Sequence, residues 1–309
     1  MARLRWRAVS WKLLASLLVT ATSCALVSSG APVRPVSHPV PAYQAAADHT
    51  EDKVRSVSRT IEVGSRTRSY LLDIPRAAEG DNPGSYPLIL AFGGKDVTPR
   101  RFAKDSGLEQ ASHGRAIVVY PQGLKNRWEN APYAHSSRGE DVRFVREIIK
   151  ELSADYPVDQ NRIMAVGHSN GGGMVGAILC QDPGLIDAAM TVAGAFYEGT
   201  FSGCATAHPV PIAMLHSTDD TVINYEGGVK WGEPLGSARE AFEEIARRNG
   251  CNTHVIAARD IGPNAVRYRP TGCDALTSLT KVEGEGHSWY DEPNVPDVAW
   301  NVLNGRDSH

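Results

Sequence analysis

The sequence predicts an α/β fold: a mostly parallel central sheet with helices on both faces and an antiparallel N-terminal hairpin. Three observations predict it. From residue 57 onward, short apolar runs of strand length alternate with stretches of helical spacing, the pattern of a sheet buried on both sides. The chain has 309 residues, 42% of them hydrophobic and 22% charged, which supplies a full core and excludes a wholly disordered chain. No internal repeat and no linker interrupts 57–304, so residues 57–309 read as one folded domain.

Ahead of the fold lies an export segment. Arg3, Arg5, Arg7 and Lys12 form a positive start with no acid before Asp48. Leu13 to Val27 is an apolar run shorter than a membrane-spanning helix needs, and small residues follow from Ser28 to Ala31. Residues 1–31 therefore read as a signal peptide, with an uncleaved membrane anchor as the alternative. Ala21-Thr22-Ser23-Cys24 also resembles a loose lipobox, which would make Cys24 a lipidated mature N-terminus. The formal net charge of −3 becomes −7 once the four basic residues of this segment are removed. Residues 32–56, with Pro32, Pro35, Pro39 and Pro41, carry few large apolar groups and read as a flexible spacer.

Within the domain, Ser58–Val63 and Ser69–Ile74 flank Gly64-Ser65-Arg66 as a hairpin. Leu88–Phe92 and Ala116–Tyr120 are strands, and Asp141–Leu152 has helical spacing through Val142, Val145, Ile148, Ile149 and Leu152. Arg162–Gly167 is a strand that runs into a helix over Gly171–Cys180. Ala188–Ala195 and Pro211–His216 are further strands, and Ser237 starts a helix that stops at Asn249-Gly250. Ala265–Arg269 and Ser278–Val282 are late strands, and Pro296–Leu303 is a short closing helix.

Gly167-His168-Ser169-Asn170-Gly171 fits G-x-S-x-G between that strand and that helix. The pattern alone is weak and equally describes a glycine-rich helix start without chemistry, but a nucleophile elbow needs this strand–turn–helix context. A serine hydroxyl needs a base to take its proton, and in such folds the order is Ser, then Asp or Glu, then His. His287 lies in a flexible loop directly after the last strand and is the candidate base. His216 ends a strand, and Asp219 and Asp220 follow it, either of which could orient the imidazole. His168 reads as packing, pointing away from the nucleophile's side of the turn, while His208 and His254 have no supporting context.

Tyr120-Pro121-Gln122-Gly123, Tyr156-Pro157-Val158-Asp159, the Gly167–Gly171 turn, His216-Ser217-Thr218-Asp219-Asp220 and Gly286-His287-Ser288-Trp289 occur in this order. As a set they resemble the secreted polyhydroxybutyrate depolymerase-like and feruloyl or acetylxylan esterases of the α/β-hydrolase superfamily, over most of 57–303. The resemblance implies the α/β-hydrolase fold and Asp220 as the acid, with Asp219 the alternative. Asn224 to Gly228 also resembles the stretch after the acid in that family.

Acyl transfer places negative charge on the carbonyl oxygen, which backbone N–H groups must meet. Asn170, after the nucleophile, is one expected donor; Lys95, with Gly94 beside it, is the other, in the loop after Leu88–Phe92. The chain departs from the family here, carrying Gly93-Gly94 where His-Gly is usual. Ser217 likewise replaces a glycine, and Tyr290-Asp291 replace Pro-Gly. Trp128, Tyr225 and Trp289 are aromatic candidates for stacking on substrate, core packing being the alternative for each. No His-Glu-x-x-His or paired Cys-x-x-Cys suggests a metal, so no cofactor is expected. The charge balance offers no basic footprint for nucleic acid.

The expected function is a secreted serine esterase, a monomer acting on a small or polymeric ester, its only membrane link the signal peptide or a lipid anchor at the cell envelope. A serine peptidase and a non-catalytic envelope binding protein are the alternatives. Cys180, Cys204, Cys251 and Cys273 remain after export, and four cysteines allow three pairings. The family resemblance implies the local pairs Cys180–Cys204 and Cys251–Cys273.

Overall fold

The computed structural model describes residues 53–80, 84–204 and 208–306; the segment expected to direct export, with Cys24, lies outside them. Ten strands form one mixed sheet in the order β1-β2-β4-β3-β5-β6-β7-β12-β11-β10. The leading hairpin is β1 (Val54–Val63) and β2 (Arg66–Pro75), antiparallel to each other and followed across the sheet by β4 (Ile117–Pro121). β1 starts before Val57: Val54 pairs with Pro75 and Ser56 with Asp73, so the last residues of the expected spacer belong to the sheet.

The centre is parallel, as the apolar runs predict. β4, β3 (Tyr86–Phe92), β5 (Val158–His168), β6 (Ala188–Val192), β7 (Ile212–Ser217) and β12 (Thr277–Val282) all run one way. Alternate residues enter opposite layers. Leu88, Leu90 and Phe92 of β3 pack into one core, while Ile89 and Ala91 pack into the other. The first layer is covered by α3 (Glu140–Asp155), α4 (Asn170–Gln181) and α5 (Ala238–Arg248). The second is covered by α1 (Pro99–Ser106), α2 (Leu108–Ser112) and α6 (Val295–Leu303). Helix starts follow their capping chemistry: Ser237 and Glu240 form a capping box on α5, and the Asn294 side chain accepts the Asp297 N–H on α6. This is the α/β-hydrolase arrangement.

Several elements differ from the sequence expectation, among them the helices α1 and α2, which it lacked, and β5, which begins at Val158 instead of Arg162. β6 ends at Val192 rather than Ala195, because the chain turns at Ala193, whose φ is 48°. A strand β10 (Asn252–Gly262) precedes β11 (Ala265–Thr271) and extends the sheet past β12. A small hairpin, β8 (Gly228–Lys230) and β9 (Glu233–Leu235), stands after β7. Disulfides join Cys180 to Cys204 and Cys251 to Cys273, the pairs that the resemblance implies. Among the described residues, no helix is long and apolar enough to cross a membrane.

Candidate active site

Parallel strands bring their carboxyl ends to one edge of the sheet. Phe92 at the end of β3 pairs with Gly167 of β5, and Ser217 at the end of β7 pairs with Val282 of β12. The loops that follow these four strands carry Gly93-Gly94, Ser169, Asp220 and His287, residues far apart in sequence.

Ser169 sits between β5 and α4 at φ 56° and ψ −120°, a backbone conformation that costs energy for any residue with a side chain. The flanking glycines make the turn sterically feasible. A Cβ on Gly167 would stand 2.2 Å from the Gly171 carbonyl oxygen, and one on Gly171 would stand 2.0 Å from that of Phe92. The turn is held by Ser169 N–H donating to Val192 O and by Ala195 N–H donating to Ser169 O, each at 2.9 Å.

His287 links the serine to the acid. Its Nε2 lies 2.9 Å from Ser169 Oγ, and its Nδ1 lies 2.7 Å from Asp220 Oδ2. An ionised carboxylate only accepts, so Nδ1 carries the proton and Nε2 is open to the serine hydroxyl. Asp220 is buried; its Oδ1 accepts the N–H groups of Val222 and Ile223, both at 2.8 Å, and its Oδ2 lies 3.4 Å from His216 Nε2. Burial pushes this carboxyl up, but hydrogen bonds from His216 and His287, with those backbone donors, outweigh it and hold the group well below the ordinary carboxylate range. His216 Nε2 also donates to Ile223 O at 2.8 Å.

Asp219, the alternative acid, points elsewhere. Its Oδ1 accepts the Ser217 hydroxyl at 2.5 Å and the Gly284 N–H at 2.9 Å. It thereby ties the loop after β7 to the loop that carries His287. Tyr290 is a second tie: its buried hydroxyl oxygen accepts the Ser217 N–H at 2.8 Å. Ser217 and Tyr290, both departures from the family pattern, thus form one brace.

His168 is a correction to the sequence reading. Its ring lies 4.9 Å from that of His287, tilted by 36°, so it stands on the Ser169 side of the turn beside His287 instead of pointing away from it. Its Nε2 is buried without a hydrogen-bond partner. Burial, reinforced by the neighbouring His287, pushes its pKa down to about 3, so it stays neutral beside that ring.

Gly94 lies against Ser169, where a Cβ would come within 3.3 Å of Ser169 Cβ. Within its turn, Asp96 N–H donates to Asn126 O and Val97 N–H to Gly94 O; the amides of Gly94 and Lys95 have no such acceptor among the described residues. Asn170 occupies the first position of α4, where an N–H has no intrahelical acceptor. Its side chain is engaged, with Oδ1 accepting the Trp128 N–H and Nδ2 donating to Asn130 Oδ1.

The three aromatic candidates are packed. Trp128 is only 2% exposed, its indole N–H donating to Gly93 O at 2.9 Å and its ring edge-on to Phe92. It braces the Gly93-Gly94 turn from within and offers substrate no face. Trp289 is half-buried; its indole N–H donates to Ser106 O, and its ring meets Phe102 and His168 edge-on. Tyr225, half-buried, stands edge-on to His216 at 5.7 Å. The aromatics near the nucleophile loop that sequence reasoning missed are Tyr133 and Trp231. Lys95 Nζ stands 5.7 and 5.6 Å from their ring centroids. The Trp231-Gly232 turn between two short strands was the available signal.

Comparison with known proteins finds matching relatives. A profile of the prolyl oligopeptidase family matches residues 126–209. Feruloyl esterase C of Emericella nidulans is 30% identical over 255 residues, spanning 76% of this chain and 83% of that protein. Feruloyl esterase B of Piromyces equi is 29% identical over 233 residues, spanning 72% of this chain and 42% of that protein. Among solved structures, the acetyl xylan esterase from Aspergillus awamori shares the fold with a TM-score of 0.57 at 17% identity, over 80% of this chain and 99% of that one.

Proposed function

The chain belongs to the feruloyl esterase family of α/β-hydrolases, and from that premise we propose that it cleaves esters through an acyl-enzyme on Ser169, with His287 as base and Asp220 orienting it. That it is a carboxylic-ester hydrolase follows from the family; the assignment of roles is our reading. The observation that carries it is the unbroken relay from Ser169 Oγ through His287 to Asp220, at 2.9 and 2.7 Å.

In the first half-reaction Ser169 Oγ attacks the ester carbonyl carbon as its proton passes to His287 Nε2. The tetrahedral oxyanion is met by the N–H of Asn170 and by that of Lys95 or Gly94. Collapse breaks the bond to the alcohol oxygen, which leaves with the proton from His287. Water then enters, gives its proton to His287, and releases the acid as Ser169 regains its hydrogen. Asp220 stays ionised throughout and stabilises the imidazolium each time it forms.

The experiment is labelling with an organophosphonate probe, with hydrolysis of p-nitrophenyl acetate and methyl ferulate measured in parallel. We expect Ser169 as the labelled residue, and Ser169→Ala to lower kcat by about 10⁵- to 10⁶-fold. Folded protein that is neither labelled nor active on either ester would sink the reading. The match to the prolyl oligopeptidase profile favours a peptidase as the second reading. It covers the nucleophile but ends before Asp220 and His287, so it speaks to the shared elbow rather than to amide cleavage. Assaying peptide and ester substrates side by side separates the two.

The same proposal covers the rest of the chain: residues 1–31 direct export, 32–53 form a spacer ahead of β1, and the catalytic domain is a monomer outside the cytoplasm or lipid-anchored through Cys24. Two disulfides suit that oxidising destination. Mass analysis of the exported protein's N-terminus distinguishes cleavage near Ala31 from a lipidated Cys24.

A further inference from the structure

Trp231 is placed where folding alone would not put it. It is 60% exposed, and Val222 and Val229 are also exposed, so three of the five exposed large hydrophobic residues described fall within 222–231. Trp231 and Gly232 form the two-residue turn between β8 and β9, with φ of 57° and 80°. Such a turn needs positive φ at both positions and favours Asn, Asp or Gly at the first. A bulky aromatic there is both strained and solvated, a combination typical of functional positions.

Its neighbours tie it to the reaction centre. Tyr133 meets it edge-on at 5.7 Å, and Lys95 Nζ reaches both rings. Lys95 directly follows Gly94, the residue that lies against Ser169. Charge surrounds the two rings: Lys95 pairs with Asp96, and Asp96 Oδ1 accepts from Arg127 Nε at 3.1 Å.

We propose that Trp231, with Tyr133 beside it and Lys95, Asp96 and Arg127 as its rim, is a stacking platform for a sugar ring in the alcohol half of the ester. This rests on the esterase reading above and extends it to the leaving group. An acyl chain or aryl acid gains most from an enclosed, dry pocket. Trp231 stays 60% exposed beside Lys95 and Tyr133, and it is bordered by charged donors and acceptors. A sugar ring matches both features, laying its C–H face on the indole and turning its hydroxyls to the charged rim. The platform acts through binding and takes no part in the chemical step.

The test compares two esters with the same acyl group, methyl ferulate and a feruloylated methyl xyloside, in full-length wild type, Trp231→Asn and Trp231→Phe. Asparagine suits the left-handed turn, so Trp231→Asn removes the ring without burdening the fold. We expect the ratio of kcat/KM for the sugar ester over methyl ferulate to fall about ten-fold in Trp231→Asn, through KM, and Trp231→Phe to recover most of it. A ratio that stays within two-fold, or a loss confined to methyl ferulate, would overturn the proposal. If the wild type turns over neither ester, the esterase reading fails and calorimetric titration with xylotetraose decides the platform. Binding lost in Trp231→Asn supports it, and equal or absent binding in both proteins overturns it.

Discussion

At the scale of single residues, support for the reactive groups is as specific as the groups themselves. Trp128, a stacking candidate with core packing as its alternative, holds the Gly93 carbonyl from inside the core. It supplies a brace to a turn that lacks the histidine usual in its family. Trp128→Phe keeps most of the packing and removes the donor. The expected outcome is a fall in kcat on the order of ten-fold with KM little changed, read from methyl ferulate kinetics. A change confined to KM would mean that the ring contacts substrate after all. Ser169 and His287 stood out in the sequence as candidates because a strand–turn–helix with paired glycines and a histidine after the last strand are local patterns. Choosing Asp220 over Asp219 needed more than the residues themselves. The two carboxylates are adjacent, and only the direction of each side chain separates the one on His287 from the one on Gly284 N–H.

At the scale of elements, β5 and α4 hold Ser169, the proposed nucleophile, at their junction. The first eleven residues of α4 are all buried, and Cys180 near its end is tied to Cys204. Replacing both cysteines with serine should cost about 3 kcal/mol by the loop-entropy argument, seen as a lower urea midpoint, while the triad itself keeps its residues. An unchanged midpoint would mean that packing alone fixes the helix end. The parallel strands were readable because each is an apolar run buried on both faces. β10 was not, for the opposite reason. Most of its residues are exposed, and it offers neither an apolar run nor a clean alternation. It is a strand because β11 pairs with it, which no property of residues 252–262 alone reveals.

At the scale of the whole molecule, burial of titrating groups couples folding to pH. The unfolded chain protonates His168 below about its ordinary 6.5, whereas the folded protein holds it neutral to about 3. Its contribution to stability is therefore full above pH 6.5 and is lost as pH falls toward 3. Asp220, depressed below its ordinary 3.8, adds a loss in the same direction below that value. Asp73, Glu109 and Glu129, raised chiefly by burial, work the opposite way in the carboxylate range. Urea midpoints at pH 7 and pH 4.5 should drop on acidification in the wild type and drop less in His168→Gln. An equal drop in both would remove His168 as a cause. The buried Arg68–Asp141 pair, at 2.8 Å, anchors the segment that brings Trp128 to the site, since Asp141 also accepts from Glu129 N–H and Ser136. By itself the sequence determined the fold class, the order of the candidate reactive residues along the chain and the strand ends that carry them. Apolar periodicity and turn chemistry are encoded within a few residues, and parallel strands necessarily gather those ends on one edge. Only the tertiary structure decided which carboxylate meets His287, that His168 flanks the base, and which aromatic rings are covered or open. Orientation and exposure are set by neighbours that lie tens to hundreds of positions away in the chain.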